Sequence, residues 1–166
     1  MLSFIKEMFL KKNNGIWFYG VSGSGKTIAS QYLKKRIRNS FLIDGDVVRK
    51  YISFDLGYSI RDRKTQVKRV LGIAKISRFS KIFPIISTVF MSQNLKNKLK
   101  KEKILAIKII RDFKKIKNRK KIYNKKIKYV IGIDIKNPKL KKESIIDNNS
   151  TKQNLYKKLE KIIYER

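Results

Sequence analysis

No cysteine and no histidine occurs in the 166 residues. The first absence excludes disulfides, thiolate zinc sites and cysteine nucleophiles. The second removes the commonest general base, so any proton acceptor must be a carboxylate, a lysine or a tyrosine. Asp and Glu together number only 12, which narrows the search. No apolar run is long enough to cross a bilayer; Lys81–Met91 comes nearest and is far too short. The opening stretch Met1–Leu10 is amphipathic but broken by Lys6 and Glu7, so it does not read as a signal peptide. A cytoplasmic location and no membrane partner are therefore expected. Internal repeats and Pro/Gly-rich linkers are also missing, so residues 1–166 read as one domain with a leading segment at 1–14.

What is present is 42% hydrophobic, enough for a sizeable core, and very basic: Lys and Arg total 43, for a formal charge of +31. The lysines spread through the second half with no stacking-aromatic or zinc motif among them. Their distribution fits a chain generally rich in Lys, Ile and Asn, and nucleic acid is not the expected partner. Such a field still attracts any polyanionic ligand, nucleotides included.

Uncharged strand formers at Gly15–Tyr19 read as a buried parallel strand, broken by Gly20–Gly25. A helical pattern runs from Lys26 to Arg38, with Ile28, Tyr32, Leu33 and Ile37 at helix spacing. A second buried strand is expected at Ser40–Ile43, ended by Asp44-Gly45-Asp46. Asp62 is placed as the N-cap of a long amphipathic helix whose Val67, Val70, Leu71, Ala74 and Ile76 face the core. Further strands are expected at Ile82–Val89, Ile104–Ile110 and Ser144–Asp147, and helices at Gln93–Lys101 and Lys152–Tyr164. Arg111–Lys128 reads as a helix followed by a mobile loop. Strands alternating with helices imply right-handed crossovers, hence an α/β three-layer fold with a parallel sheet of about five strands.

Gly20-Val-Ser-Gly-Ser-Gly25-Lys26-Thr27 matches G-x-x-x-x-G-K-[ST] without a mismatch, between a strand and a helix. This is the P-loop NTPase signature, and its chemistry needs these residue types. Glycines let the backbone through Gly20, Ser22, Gly23, Ser24 and Gly25 curl so that N–H groups converge on phosphate oxygens. Lys26 reaches the β- and γ-phosphates of ATP, and the Thr27 hydroxyl ligates Mg²⁺. No Asn-Lys-x-Asp guanine-reading motif occurs, which argues against a GTPase. The third strand ends in Ser87-Thr88 without a carboxylate, which argues against a motor or transporter ATPase.

Acidic residues follow the second strand instead, as Asp44-Gly45-Asp46-x-x-Arg49, at the sheet edge where open α/β folds bind ligands. One carboxylate can take a hydroxyl proton or hold the metal's water, and the arginine can clamp an anionic acceptor. With Asp55-Leu-Gly-Tyr58-Ser59 and Asp62-Arg63-x-x-Gln66-x-x-Arg69, these segments resemble the adenylylsulfate kinases, which phosphorylate the 3′-hydroxyl of adenosine 5′-phosphosulfate (APS). That family has Asp-Gly-Asp-Asn-x-Arg, Asp-Leu-Gly-Phe-Ser and Asp-Arg-x-Glu-Asn-x-x-Arg. The likeness continues at Thr88-Val-Phe-Met91-Ser92, fades through the fourth strand and returns at Tyr123 and Gly132-Ile-Asp134, like the family's lid, expected here at 119–134.

The resemblance implies Asp46 as the base, Asp44 organising Mg²⁺ directly or through water, and Lys26 on the phosphates. It implies Arg49, Tyr58, Arg63, Gln66, Met91, Ser92 and Val130 around the acceptor, with Arg49 and Arg63 on its anionic end and Tyr58 stacked on its base. Helical spacing independently puts Arg63 and Gln66 on one face. It also carries a weak expectation of a homodimer. The sequence departs from the family at Gln66 for asparagine, Gln93 for proline, a shorter lid, and Val130 for the lid phenylalanine. ATP-dependent phosphorylation of APS, for sulfate assimilation, is the first expectation. The same transfer to another nucleotide-linked acceptor, such as a cytidine diphosphate derivative in surface-polysaccharide modification, is the alternative those departures raise. A binding protein with a decayed nucleotide site would be expected to lack one of Lys26, Thr27, Asp44 and Asp46, and all four are present.

Overall fold

The computed structural model describes residues 2–117, 129–135 and 140–164. Five parallel strands form one sheet in the order β2-β3-β1-β4-β5: β1 Gly15–Tyr19, β2 Ser40–Asp44, β3 Phe83–Thr88, β4 Ile104–Ile110 and β5 Ser144–Asp147. Every residue of β1 is buried, as a central parallel strand covered on both faces must be.

Alternation along the strands divides the core in two. Trp17, Tyr19, Ile43 and Ile86 face α3 (Gly45–Tyr51), α4 (Ile60–Phe79) and α5 (Gln93–Lys101), meeting Val48, Val67, Val70, Leu71, Leu95 and Leu99. Ile16, Phe18, Ile85, Ile107 and Ile109 face the other layer, α1 (Leu2–Lys12), α2 (Lys26–Arg36) and α7 (Lys152–Tyr164), meeting Phe9, Leu33, Leu155 and Leu159. The leading segment is thus a helix that closes the second core with Phe9. The adjacent strands β1 and β3 send their helices to opposite faces, and this opens a crevice at their carboxyl ends.

Three local expectations need correction. The N-cap of α4 is Ser59, not Asp62: Ser59 Oγ accepts from Asp62 N–H at 3.2 Å while Asp62 Oδ2 accepts from Ser59 N–H at 3.2 Å. Asp62 is the reciprocal partner of a capping box, a position that also favours an acid. Ile76 points to solvent at 68% exposure, and Ser77 takes the inward position after Ala74. β2 is only partly buried, with Phe41 48% exposed, because it is an edge strand; the acidic segment after it forms α3, which Asp44 caps by accepting from Asp46 N–H at 2.9 Å. Beyond β4 the described chain forms the short α6, Phe113–Lys117. Tyr123 and most of the expected lid lie outside the described residues.

Candidate active site

Strands β1 to β4 end at one cavity of about 670 Å³. Its donor wall is the loop after β1, and two glycines there are sterically required. A Cβ on Gly20, at φ +145, would lie 2.3 Å from the Ile109 carbonyl oxygen; one on Gly25, at φ +107, would lie 2.3 Å from Asn148 Nδ2. The loop can therefore press against the ends of β4 and β5 only without side chains at those points. Buried Asn148 holds it from behind, donating from Nδ2 to the Ser24 carbonyl at 2.8 Å and from its backbone to the Ile110 carbonyl at 2.8 Å. Ser22, Gly23, Gly25, Lys26 and Thr27 line the cavity, while Gly20 and fully buried Ser24 lie behind its surface. Lys26 Nζ donates to the Val21 carbonyl at 2.8 Å, and the amino end of α2 opens onto the same space.

Across β3 from this loop, at the end of β2, stands Asp44. Its Oδ2 accepts from Ser87 Oγ at 2.8 Å and from Thr27 Oγ1 at 3.2 Å. Ser87, at the end of β3, thus positions a carboxylate supplied by the neighbouring strand. Among the described residues no group of three or more ligating side chains occurs. One carboxylate beside one hydroxyl is nonetheless the protein share that Mg²⁺ takes when phosphates and water complete its octahedron. Thr27 and Asp44 fit that role. Asp46, in the first turn of α3, lines the cavity beside them.

The opposite wall is built from long side chains of α3, α4 and the loops around them. Arg49 Nη1 donates to the Leu56 and Gly57 carbonyls at 3.2 and 2.7 Å, and its guanidinium lies 4.6 Å from the Tyr58 ring centre. Arg63, buried on α4, donates from Nε to the Tyr58 carbonyl at 3.1 Å and from Nη2 to the Tyr129 carbonyl at 2.7 Å. Burial, then the Arg49 guanidinium beside it, lowers the Arg63 pKa, with Tyr58 and Asp46 acting the other way. Two cations crowded in this way favour an anion between them. Gln66, 5% exposed, donates from Nε2 to the Gly45 carbonyl at 3.0 Å, and its Oε1 is buried without a partner among the described residues. Arg49, Tyr58, Arg63, Gln66 and Val130 all line the cavity, with Tyr129 and Ile131 beside them.

Two expected acceptor residues are not brought there. Met91 is 2% exposed in the core, and Ser92 caps α5 by accepting from Leu95 N–H at 3.2 Å. The chain has turned away from the cavity by that point, and Val89 and Phe90 line it instead. Sequence reasoning also missed Arg111, Lys115 and Asn148. A usable signal existed: the residue just past a parallel strand lies at the carboxyl edge where the ligand crevice opens, which singles out Arg111 after β4 and, behind the phosphate loop, Asn148 after β5.

The family model for adenylylsulphate kinase matches residues 12–139, most of the chain. The chain belongs to the adenylylsulphate kinase family. Within this kinase family, an adenylyl-sulfate kinase of Clostridium acetobutylicum is 31% identical over 105 residues, covering 61% of this chain and 52% of that protein. The chain thus spans about half the length of that curated relative. Likeness to a cytidine diphosphoramidate kinase of Campylobacter jejuni runs end to end: 32% identity over 169 residues, 92% of this chain and 96% of the relative. In shape the chain resembles the APS kinase of Mycobacterium tuberculosis solved in complex with AMPPNP and APS, with a TM-score of 0.81 over 92% of this chain and 98% of the other. At 17% identity that likeness speaks for the fold alone.

Proposed function

We propose that this protein transfers the γ-phosphoryl group of Mg-ATP to a ribose hydroxyl of a nucleotide-linked anionic acceptor. The observation carrying the reading is the meeting of two walls in one cavity: Lys26, Thr27 and Asp44 on one side, Arg49 and Arg63 on the other, with Asp46 among them. In this reaction an acceptor oxygen bonds to the γ-phosphorus while the bond to the β–γ bridging oxygen breaks. The electron pair leaves with ADP, and the acceptor proton passes to the Asp46 carboxylate. Lys26 and the loop amides stabilise the charge that develops on the phosphoryl oxygens. Mg²⁺, held by Thr27 and Asp44, would neutralise charge on the phosphates. Arg49 and Arg63 orient the acceptor through its anionic end, and Tyr58 supports its base.

For the acceptor, the order expected from the sequence is reversed. Cytidine diphosphoramidate is the first candidate, supported by the end-to-end likeness to a kinase of that name. The acceptor wall is compatible with it. With Val130 where the family places a lid phenylalanine, Tyr58 supports the base with Tyr129 beside Val130, which suits a smaller pyrimidine. The unpartnered Gln66 Oε1 suits an exocyclic amino group, present on cytosine and adenine alike. APS is the second reading, supported by the match to the adenylylsulphate kinase model.

The test is a coupled ADP-release assay with Mg-ATP and each acceptor in separate arms, with Lys26→Ala and Asp46→Asn as controls. Turnover with cytidine diphosphoramidate that both variants abolish supports the first reading. Turnover with APS alone moves the acceptor to the second. Failure with every nucleotide acceptor, despite Mg-ATP binding, overturns the enzyme reading.

A further inference from the structure

We propose that Arg111 is a binding residue for the terminal phosphate of the donor triphosphate, acting from the side of the phosphate loop opposite Asp44. This inference rests on the reading of the cavity as an ATP-using site.

The position follows from strand register. β4 runs parallel to β1 with Lys108 beside Tyr19, so Arg111, the residue just past β4, lies at the same end of the sheet as the phosphate loop that follows β1. The close approach persists past the strands, since a Cβ on Gly20 would meet the Ile109 carbonyl oxygen. Ile116 of α6 then packs with Val130 and Val21 in a small apolar cluster, fastening the Arg111 segment to that turn. Lys26 Nζ, which serves the β- and γ-phosphates in this motif, sits at the Val21 carbonyl. Val21 therefore marks the terminal-phosphate end of the loop, and Arg111 flanks it.

Charge and hydrogen bonding point the same way. Arg111 lines the cavity, has no carboxylate partner among the described residues, and keeps Nε buried without a hydrogen bond. A guanidinium that lines a ligand cavity with no carboxylate beside it can take an anion from that cavity, and phosphate oxygens match its planar fork. Its neighbour Lys115 is already engaged, donating from Nζ to the Asn149 carbonyl at 3.0 Å. Sheet order separates the duties. Asp44 ends β2, on one side of β1, and Arg111 follows β4 on the other. The terminal phosphate would meet the metal side at Asp44 and Thr27, and a guanidinium at its far flank. Arg49 and Arg63 rise from the β2 side, which leaves them to the acceptor.

Calorimetric binding of ADP and of a non-hydrolysable ATP analogue, both with Mg²⁺, tests this without needing an acceptor. Arg111→Gln should weaken the analogue by roughly tenfold or more, the loss expected for a charge-assisted hydrogen bond, while ADP changes less than about twofold. Arg111→Lys keeps the charge and the aliphatic stem, so it guards against misfolding and should retain part of the preference. An analogue-to-ADP ratio that stays at the wild-type value in both variants overturns the assignment, and so does equal weakening of both nucleotides. Absence of turnover in the wild-type protein would instead overturn the kinase reading and leave the binding ratio to decide the role of Arg111.

Discussion

The two walls of the cavity are built by different means. The donor wall is mostly backbone: a short loop pressed onto β4 and β5 by Gly20 and Gly25, held by Asn148, and leading directly into a helix. Few side chains reach from it, and those that do, Lys26 and Thr27, have partners within the loop or on the adjacent Asp44. The acceptor wall is mostly side chain. Arg49, Tyr58, Arg63 and Gln66 extend from α3, the loop after it and α4, with Arg49 donating to the Leu56 and Gly57 carbonyls, Arg63 to that of Tyr58 and Gln66 to that of Gly45. A backbone site tolerates few changes and serves one ligand class, phosphate. A side-chain site can be respecified one residue at a time.

The comparison is broken most severely by removing the groups where the walls meet. Asp46→Asn should lower kcat by about 10²–10⁴-fold with little change in Mg-ATP affinity, as loss of a general base does. Lys26→Ala should lower kcat on a similar scale and weaken Mg-ATP as well. Steady-state ADP release and calorimetry separate the two. If Asp46→Asn keeps wild-type kcat, the base lies elsewhere.

Gly20→Ala tests the donor wall as a backbone structure. The new methyl group would collide with the Ile109 carbonyl oxygen, and φ of +145 is a conformation L-residues avoid. A destabilisation of about 1–3 kcal/mol in urea unfolding is expected, together with weaker Mg-ATP binding. Gly72→Ala, in the middle of α4 with nothing within 4 Å of the new methyl group, is the control and should be neutral or stabilising.

The same difference governs what was legible in the sequence. The donor wall is local in sequence, from Gly20 to Thr27, and its neighbouring strand and helix announce themselves by composition. The strands were equally legible: the apolar run of β4 and the short edge strand β5 both have the expected ends. Asp44 and Arg49 were found because they follow β2 at the carboxyl edge of the sheet, and Arg63 because its segment resembles the family's motif. What escaped depended on contacts between distant segments. Asp62 fits either position of a capping box, and only the hydrogen bonds assign Ser59. Ser92 is a polar residue beside a site motif, and only the turn of the chain into α5 removes it from the cavity. Arg111 resembles any lysine or arginine of a chain with 43 of them until strand register sets it against the phosphate loop.

Tyr58→Ala sharpens the distinction on the other wall. Removing the ring that supports the base should raise the acceptor KM roughly tenfold, the scale of one stacked base, while kcat and the ATP KM stay near wild type. Val130→Phe, which restores the family's second aromatic, should lower the KM for an adenine-based acceptor more than for a cytidine-based one. Competition between the two acceptors reads that change directly. An equal rise in the ATP KM in Tyr58→Ala would mean that the walls are not independent.

The smallest effect concerns how the acceptor wall is fastened. Arg69 on α4 makes a two-pronged ion pair with Asp55, tying down the loop that carries Tyr58. The hydrogen bond from Arg69 holds the Asp55 carboxyl below its ordinary pKa of 3.8, while slight desolvation opposes it. A depressed carboxyl pKa means that the contribution is fully present above that ordinary value and is lost as pH falls through the lower, folded one. Between pH 8 and 5 the pair should therefore leave the acceptor KM flat. Asp55→Asn should raise that KM by no more than about threefold, because exposed pairs are weak and screened. Added salt should shrink the difference between variant and wild type, and the ATP KM should be insensitive to the substitution. A rise in the ATP KM instead would show that fastening the Tyr58 loop also shapes the phosphate loop, and the two walls would have to be treated as one.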